Sequence, residues 1–376
     1  MSGKKVLYVV NILSYFISHR LSIATYAGKQ GYKIYIAAPA ASMDQIKLLE
    51  QAGFIYVKIN YIGSYGGFIN ELKFCYSIYK IIKQVKPDVV HNIYLKIVIV
   101  SGCVARFLKI PRVINTIPGF GFLFTSDAWR EKLYKIMVKP LLLYSISYKK
   151  SILLLQNNDD KKYFENKYDL KFPHIVLIRG TGINVEKIPM NSFPNRSPVT
   201  VAFPARFLLH KGIMEFYYLA KKFQDNPDVK FVLIGDIYKD NPTSISRNVL
   251  NKWEQSDVLE NWGWQSDICM AFAEVDIVCL PSYREGLPRV LLEAAACGKA
   301  IVTTNVPGCR EIVKHDLTGL LVELGNQDSL NAAVKKLLYN KGLRERLGRN
   351  ARVEIEKNYT EAYVNEETIK LYHLNL

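Results

Sequence analysis

The sequence predicts an α/β protein with two Rossmann-like domains, and three observations support this fold class. Short apolar segments rich in Val, Ile and Tyr alternate with longer helical patterns, which is typical of parallel sheets covered by helices. The alternation restarts after a stretch rich in Pro, Asn and Ser at residues 181–198, which we interpret as a linker. A chain of 376 residues is also long enough for two domains that each bury a core.

The apolar segments define the strands that we expect in the two sheets. The first series comprises residues 6–10, 33–37, 55–59, 89–93, 113–117 and 152–156, and the second comprises residues 199–204, 230–234, 276–280 and 300–304. We expect domains at residues 1–182 and 183–355, with 356–376 as a helix that returns to the first domain. Parallel sheets bind ligands beyond the carboxyl ends of their strands, so two facing sheets would share one interdomain cleft.

The charge of the chain is unevenly distributed. Residues 1–180 contain 26 Lys and Arg against 10 Asp and Glu, whereas residues 181–376 contain 24 of each kind. This asymmetry indicates an anionic partner for the first half, either nucleic acid or the anionic lipid of a cytoplasmic leaflet, with charge kept for solubility as the simpler alternative. No apolar run reaches the about 18 residues of a spanning helix, so we expect any membrane contact to be peripheral. The six cysteines show no metal-ligand spacing and fit a reducing compartment.

The segment from Pro281 to Gly298 carries the densest chemical signal. It follows an expected strand, so its glycine-containing loop and the start of the next helix can present backbone N–H groups to a phosphate. Glu285 lies in the loop, and Glu293 follows on the helix after seven intervening residues. Ionised carboxylates only accept hydrogen bonds, which suits the hydroxyls of a sugar and a ribose. The apolar flanks and Gly286 favour this interpretation over acids on a solvated surface.

Two other strand ends in the second half carry matching groups. Arg206 and Lys211 follow the strand at 199–204 and could clamp a diphosphate whose negative charge grows as it leaves. Gly235 and Asp236 end the next strand, where a glycine allows the backbone to approach a nucleotide closely. Three such strand ends in one domain predict a single nucleotide site.

The order Arg206, Lys211-Gly212, Gly235-Asp236, Glu285 and Glu293 resembles the retaining glycosyltransferase family four, which has the GT-B fold. The segments Asn241-Pro-Thr-Ser-Ile-Ser and Pro307-Gly-Cys-Arg-Glu311 resemble its bacterial branch, which builds O-antigen, capsule or glycoprotein glycans on undecaprenyl diphosphate. The resemblance implies a metal-independent, retaining hexosyltransferase that needs no cofactor. Its donor substrate would be a UDP-sugar, its acceptor a polyprenyl-diphosphate-linked saccharide, and its place the cytoplasmic face of the cell membrane.

The resemblance also implies a role for each residue around the diphosphate and the sugar. Arg206 and Lys211 would bind the donor diphosphate and stabilise the leaving group. Glu285, with the backbone of Gly286 and Leu287, would hold the transferred sugar. Members of this family need no metal, because Arg, Lys and helix N-termini provide the stabilisation that a divalent cation provides elsewhere.

The remaining donor-binding residues would contact the nucleoside. Glu293 would hold the ribose hydroxyls, and Gly235 and Asp236 would lie against the nucleotide. Trp264 and Gln265 belong to a loop that would run along the base, as the corresponding loop does in relatives.

The acceptor side departs from the family pattern. Many relatives have a histidine after a first-domain strand, where this chain has Asn115-Thr-Ile-Pro-Gly-Phe-Gly. Backbone groups at Gly119 and Gly121 could serve there instead, and His19 or His91 could supply an imidazole. The alternative for each histidine is a purely structural role.

A basic, aromatic stretch at residues 129–150 predicts the membrane contact. A helix of this composition can lie in a lipid interface, and each cation near an anionic surface contributes about 1 kcal/mol. The alternative is a helix packed on the core with a basic outer face, and Pro140 would kink it in either case.

Two other functions compete with glycosyl transfer. A sugar-nucleotide epimerase or hydrolase could share the GT-B shape, and a nucleic-acid-binding protein would account for the positive charge. The basic half has no recognised nucleic-acid-binding motif, and that reading would leave Glu285 and Glu293 unexplained. We therefore expect a nucleotide sugar, a lipid-linked sugar and an anionic membrane as partners, and no nucleic acid.

Overall fold

The computed structural model describes residues 3–60, 67–119, 129–168, 174–191, 197–238 and 241–374, without the side chains of 68 and 129–137. The chain divides into two units. Unit 1 consists of Met1–Thr181 together with Glu361–Leu376, and unit 2 consists of Gly182–Thr360. Every strand pairing between the named strands is parallel.

Unit 1 is built on a seven-stranded sheet. Its strands are β1 (Lys5–Val9), β2 (Lys33–Ala38), β3 (Ile55–Lys58), β4 (Val89–Ile93), β5 (Arg112–Ile117), β6 (Ser151–Leu155) and β7 (Ile175–Leu177), in the spatial order β3-β2-β1-β4-β5-β6-β7. Its helices are α1 (Leu13–Lys29), α2 (Met43–Gln51), α3 (Gly67–Val85), α4 (Leu95–Phe107), α5 (Trp129–Ile146), α6 (Asn158–Tyr168) and α14 (Glu361–His373).

The sheet of unit 1 is buried on both faces. Along β1, Val6 and Tyr8 belong to one apolar cluster, and the alternate residues Leu7 and Val9 belong to another. Successive side chains of a strand point to opposite faces, so each cluster marks one face of the sheet. A strand that is buried on both faces reads as a continuous apolar run, which is why the segment at β1 is apolar throughout.

The helix α14 completes unit 1 from a distant part of the sequence. It packs against α1, and the hydroxyl of Tyr372 lies 2.9 Å from that of Tyr8. Of the residues that we interpreted as a linker, Thr181 ends the first part of unit 1 and 182–198 belong to unit 2, where the backbone N–H of Ile183 donates to the carbonyl of Tyr359 at 2.8 Å. The chain leaves unit 1 after Thr181 and re-enters it at Glu361, and the hydrogen bond between Ile183 and Tyr359 shows that these two points are close together.

Unit 2 is built on a six-stranded sheet. Its strands are β8 (Val199–Pro204), β9 (Val229–Ile234), β10 (Glu260–Asn261), β11 (Ile277–Leu280), β12 (Ala300–Thr304) and β13 (Leu320–Val322), in the spatial order β10-β9-β8-β11-β12-β13. Its helices are α7 (Ile213–Lys222), α8 (Arg247–Gln255), α9 (Ile268–Phe272), α10 (Arg289–Ala296), α11 (Cys309–Ile312), α12 (Gln327–Leu338) and α13 (Lys341–Asn358). The strand order reverses between β8 and β11, which is where open parallel sheets bind ligands.

Candidate active site

The site lies in unit 2, at the carboxyl ends of β8 and β11. Arg206 and Lys211 follow β8, and Glu285 follows β11. These strands are neighbours in the sheet at the point of reversal, and the segments that follow them flank the resulting crevice. The sheet topology therefore brings together three side chains that are up to 79 residues apart in the sequence.

The segments after β8 and β11 are fastened to each other through their backbones. The N–H of Tyr283 donates to the carbonyl of His210 at 2.9 Å, and the hydroxyl of Ser282 donates to the same carbonyl at 3.2 Å. Gly212 has a φ of +81°, and a Cβ at that position would collide with the carbonyl oxygen of Pro281. Only glycine allows this close approach, which explains the Lys-Gly pair.

Lys211 and Glu285 form an ion pair at the centre of the site. The Lys211 Nζ lies 2.6 Å from the Glu285 Oε1, and the two side chains are 18% and 8% exposed. A charge-assisted hydrogen bond of this length in a poorly solvated place fixes both side chains. The cation that we predicted for the diphosphate and the carboxylate that we predicted for the sugar are thus partners of each other.

Arg206 adds positive charge to the segment after β8, and the unpredicted His210 immediately precedes Lys211 in that segment. The Arg206 side chain is exposed, with its guanidinium 4.9 Å from the centre of the Tyr238 ring. Burial lowers the pKa of His210 below its usual value, and Lys211 and Arg206 lower it further while Glu285 opposes them. The sequence offers no signal for His210, because a single histidine beside a lysine matches no motif.

The segment after β9 is joined to the segment after β8. A Cβ at Gly235 would collide with the carbonyl oxygen of Ala205, and the N–H of Phe207 donates to the carbonyl of Asp236 at 3.0 Å. The Asp236 carboxylate is exposed and lies 3.5 Å from the guanidinium of Arg247. Gly235 therefore brings two backbones together, while Asp236 faces another arginine on the surface.

Glu293 lies one turn into α10. Its carboxylate accepts a hydrogen bond from Arg289 Nε at 2.8 Å, four residues earlier on the same helix. Burial raises the pKa of Glu293 above its usual value, although Arg289 opposes the shift. A poorly hydrated carboxylate of this kind is a strong acceptor for a hydroxyl group.

Gly286 and Leu287 lie between Glu285 and α10, and the carbonyls of Glu285 and Gly286 lie close to the segment after β12. Gly308 in that segment has a φ of +81°, and a Cβ there would lie 2.5 Å from the carbonyl oxygen of Gly286 and 2.7 Å from that of Glu285. The motif that begins at Pro307 therefore supports the backbone beside Glu285.

Trp264 and Gln265 lie in the segment that follows β10. The amide of Gln265 donates to the carbonyl of Trp262 at 2.8 Å, and the N–H of Gly235 donates to the carbonyl of Gly263 at 2.9 Å. The Trp264 side chain is 71% exposed, an unusual exposure for such a large apolar group. The segment is thus hydrogen-bonded to the end of β9, and the indole of Trp264 is exposed to solvent.

The predicted residues of unit 1 have different environments. His91 is fully buried, its Nδ1 lies 2.8 Å from the hydroxyl of Tyr372, and its Nε2 lies 2.8 Å from that of Thr116. Burial lowers the pKa of His91 well below its usual value. With both nitrogens engaged inside the core, this placement favours the structural alternative over contact with an acceptor.

The other predicted acceptor-side residues are less enclosed. His19 lies in α1, partly exposed, with its ring stacked on Tyr15 at 4.2 Å between ring centres. Gly119 follows β5 and is partly exposed, and Gly121 lies outside the described residues. Within the described part of the chain, no three His, Cys, Asp or Glu side chains converge as they would around a metal ion.

Two family models match the chain in succession. Residues 5–158 match the model described as glycosyl transferase 4-like, and residues 184–354 match glycosyl transferases group 1. Among curated relatives, the chain is 30% identical to the N,N'-diacetylbacillosaminyl-diphospho-undecaprenol alpha-1,3-N-acetylgalactosaminyltransferase of Campylobacter jejuni, over 80% of this chain and 81% of that protein. It is 26% identical to the UDP-Gal:alpha-D-GlcNAc-diphosphoundecaprenol alpha-1,3-galactosyltransferase of Escherichia coli, over 71% and 70%.

Solved structures match the whole chain in fold. A glycosyltransferase from Rickettsia africae has a TM-score of 0.75 at 19% identity and covers 99% of this chain and 98% of its own. HepE from Anabaena, in complex with UDP and glucose, has a TM-score of 0.75 at 16% identity, with 98% of each chain covered. The two parallel-sheet units thus define a GT-B protein, which confirms the predicted fold class.

The fold and the sequence matches together identify a glycosyltransferase. The chain belongs to the glycosyl transferases group 1, and the predicted resemblance to family four is confirmed. These matches favour glycosyl transfer over both the epimerase or hydrolase and the nucleic-acid-binding protein.

Proposed function

We propose that the enzyme transfers a hexose or N-acetylhexosamine from a UDP-sugar to a polyprenyl-diphosphate-linked saccharide, with retention of anomeric configuration, in the synthesis of a surface polysaccharide. The names of the two relatives support this proposal, since both describe transfer to a sugar on diphospho-undecaprenol. The proposed binding of the donor rests on the Lys211–Glu285 ion pair, which lies where the strand order of the second sheet reverses.

In this proposal, Lys211 and Arg206 bind the donor diphosphate. The bond between the anomeric carbon and the phosphate oxygen breaks, and the negative charge that develops on that oxygen is stabilised by the two cations. The acceptor hydroxyl attacks from the face that the phosphate leaves, and its proton passes to the departing phosphate oxygen. Glu285, held by Lys211, accepts hydrogen bonds from the hydroxyls of the transferred sugar. The backbone at Gly286 and Leu287 helps to hold the same sugar.

The nucleoside contacts follow from the same arrangement. Glu293 would accept hydrogen bonds from the ribose hydroxyls, because its carboxylate is poorly hydrated and Arg289 holds its Oε1 in place. Trp264 and Gln265 would lie along the base, with Gly235 as the point of close backbone approach. Asp236 is also proposed to lie against the nucleotide, although its carboxylate is exposed and paired with Arg247.

We assign the acceptor to unit 1, which carries the excess positive charge. His19, Gly119 and Gly121 remain the proposed acceptor-side residues. A lipid-linked acceptor places its sugar at a membrane surface, so an anionic cytoplasmic leaflet would attract this unit. None of the helices in the described segments is long and apolar enough to cross a membrane.

Exposed apolar groups on unit 1 support peripheral membrane contact. Ile69, Leu72 and Tyr76 are exposed on α3 at spacings of three and four residues, so they share one helical face, and the exposed Lys73 is adjacent in sequence. On α5, where residues 129–137 have no described side chains, Leu141 and Tyr144 are exposed. Apolar and basic groups side by side are what an interfacial surface requires.

The test is a screen of nucleotide sugars against polyprenyl-diphosphate-linked saccharides, with products detected by mass spectrometry. The wild type should extend one acceptor from a UDP-sugar, and Glu285→Gln should bind UDP normally but transfer at least about 10-fold more slowly. Full transfer by Glu285→Gln would exclude the proposed role of Glu285. Release of free sugar with every acceptor would favour the hydrolase instead.

A further inference from the structure

His210 lies where three segments of unit 2 meet. Its carbonyl accepts hydrogen bonds from the segment after β11, at Tyr283 and Ser282. Its ring contacts the segment before α8, where Nδ1 lies 3.1 Å from the hydroxyl of Thr243. The N–H of the preceding residue, Leu209, donates to the carbonyl of Thr243 at 2.8 Å. Both the backbone and the ring of His210 are therefore held in place.

The hydrogen bonds around Thr243 determine the tautomer of this ring. Asn241 Oδ1 accepts the backbone N–H of Thr243 at 2.9 Å, so this atom is the oxygen of the amide. The Thr243 hydroxyl lies 2.8 Å from the same oxygen and must donate its only hydrogen to it. The hydroxyl can then only accept from His210, so Nδ1 carries the hydrogen and the neutral ring has its lone pair on Nε2.

The charges around His210 come from two segments. Partial burial lowers the pKa of His210, whose residue keeps an exposed surface, and Lys211 and Arg206 on its own segment lower it further, whereas Glu285 from the segment after β11 raises it. The segment before α8 contributes the uncharged Thr243 and Asn241. The lowered pKa favours the neutral imidazole in the free protein, and the positive charges of Lys211 and Arg206 contribute to that preference.

We propose that His210 is a proton-linked ligand of the donor diphosphate and takes up a proton at Nε2 when the diphosphate binds. This inference rests on the proposed diphosphate-binding role of Arg206 and Lys211. A diphosphate brings two or more negative charges, which offset the two cations and favour the imidazolium. The proton comes from solvent, forms an N–H that donates to a phosphate oxygen, and returns to solvent when UDP leaves.

The sign of the pH dependence follows from this linkage. Diphosphate binding raises the pKa of His210, so the additional affinity is absent above the pKa of the complex. The affinity grows as the pH falls between the pKa of the complex and that of the free protein, and it is constant below the latter. Across that range the enzyme binds UDP more tightly at lower pH.

The experiment is calorimetry of UDP binding at about pH 7 in two buffers with different enthalpies of ionisation, since the difference in binding enthalpy gives the number of protons taken up. His210→Asn retains an N–H donor for Thr243 but removes the titratable Nε2. His174→Asn is the matched control, because His174 lies in unit 1 with Nδ1 3.1 Å from the carbonyl oxygen of Ser151. We expect the wild type and His174→Asn to take up measurably more protons on binding UDP than His210→Asn does.

Equal proton uptake by the wild type and His210→Asn, with UDP binding intact, would overturn this inference and leave the donor site standing. No binding of UDP by the wild type would overturn the donor site and the inference together. If His210→Asn does not fold, nitrogen NMR of the wild-type imidazoles replaces it. Nε2 of one histidine should become protonated on addition of UDP, and unchanged histidine resonances would overturn the inference.

Discussion

The ion pair between Lys211 and Glu285 allows a structural role to be separated from a binding role. Replacing Lys211 with Met leaves Glu285, which is 8% exposed, without its cation. Breaking a buried pair costs about 3 to 5 kcal/mol because one charge remains uncompensated, and the 18% exposure of Lys211 points to the lower end. We expect Lys211→Met to lower the free energy of unfolding by about 3 kcal/mol.

The same substitution removes a cation from the proposed diphosphate site. A hydrogen bond between charged groups contributes about 1.5 to 3 kcal/mol, which corresponds to about 10- to 150-fold weaker binding of UDP. Chemical denaturation measures the first effect, and calorimetry with UDP measures the second. The control is Lys336→Met, which breaks a half-exposed pair with Asp316 and should lower the free energy of unfolding much less than Lys211→Met, without affecting UDP.

The double variant Lys211→Met/Glu285→Gln distinguishes the two effects. Gln at 285 removes the uncompensated carboxylate, so most of the lost stability should return. The cation is still absent, so UDP should bind at least about 10-fold more weakly than to the wild type. Recovery of UDP affinity together with stability would refute a direct contact between Lys211 and the diphosphate.

Three other predictions concern the ribose, the backbone beside Glu285 and the membrane. Glu293→Ala should weaken UDP by about 10-fold or more but weaken 2′,3′-dideoxy-UDP much less in calorimetry, because only UDP offers hydroxyls to the carboxylate; equal losses would contradict the ribose role. Gly308→Ala should lower the free energy of unfolding by about 1 to 3 kcal/mol more than Gly325→Ala, since both have positive φ but only Gly308 faces a backbone within 4 Å; equal costs in denaturation would refute the close approach. The protein should sediment with phosphatidylglycerol vesicles at low salt, release at high salt and ignore phosphatidylcholine vesicles, and Leu72→Asp should sediment less; salt-independent sedimentation would argue against electrostatic attraction.

The sequence was most informative about the long, buried strands. The segments predicted at 89–93, 199–204 and 300–304 coincide with β4, β8 and β12. Each of the other predicted strands differs from the observed strand by one residue at one end or at both ends. Strands buried on both faces are long apolar runs that a sequence displays directly. The strands β7, β10 and β13 were missed, because they contain two or three residues and provide no period to detect.

The sequence predicts which residues belong to the candidate site, but not which of their side chains pair with each other. Strand ends and glycines indicated Arg206, Lys211 and Glu285, since parallel topology brings such ends together. That Lys211 would lie against Glu285 depends on the distance between two segments, which no local pattern encodes. His91 shows the converse limit. Its position near the end of β4 suggested a site, whereas Tyr372 on α14, far along the chain, lies within hydrogen-bond distance of its Nδ1.

The sequence order of unit 1 has a consequence for its biosynthesis. The residues of unit 2 are contiguous, so the ribosome delivers the whole of that unit before Glu361 emerges. Until α14 has been synthesised, the phenol of Tyr8 and the imidazole of His91 lack the hydroxyl of Tyr372 that covers them in the finished protein. The first residues of the chain therefore depend on its last residues to complete this buried hydrogen-bonded group, and a truncation that removes α14 would impair the part of the enzyme made earliest.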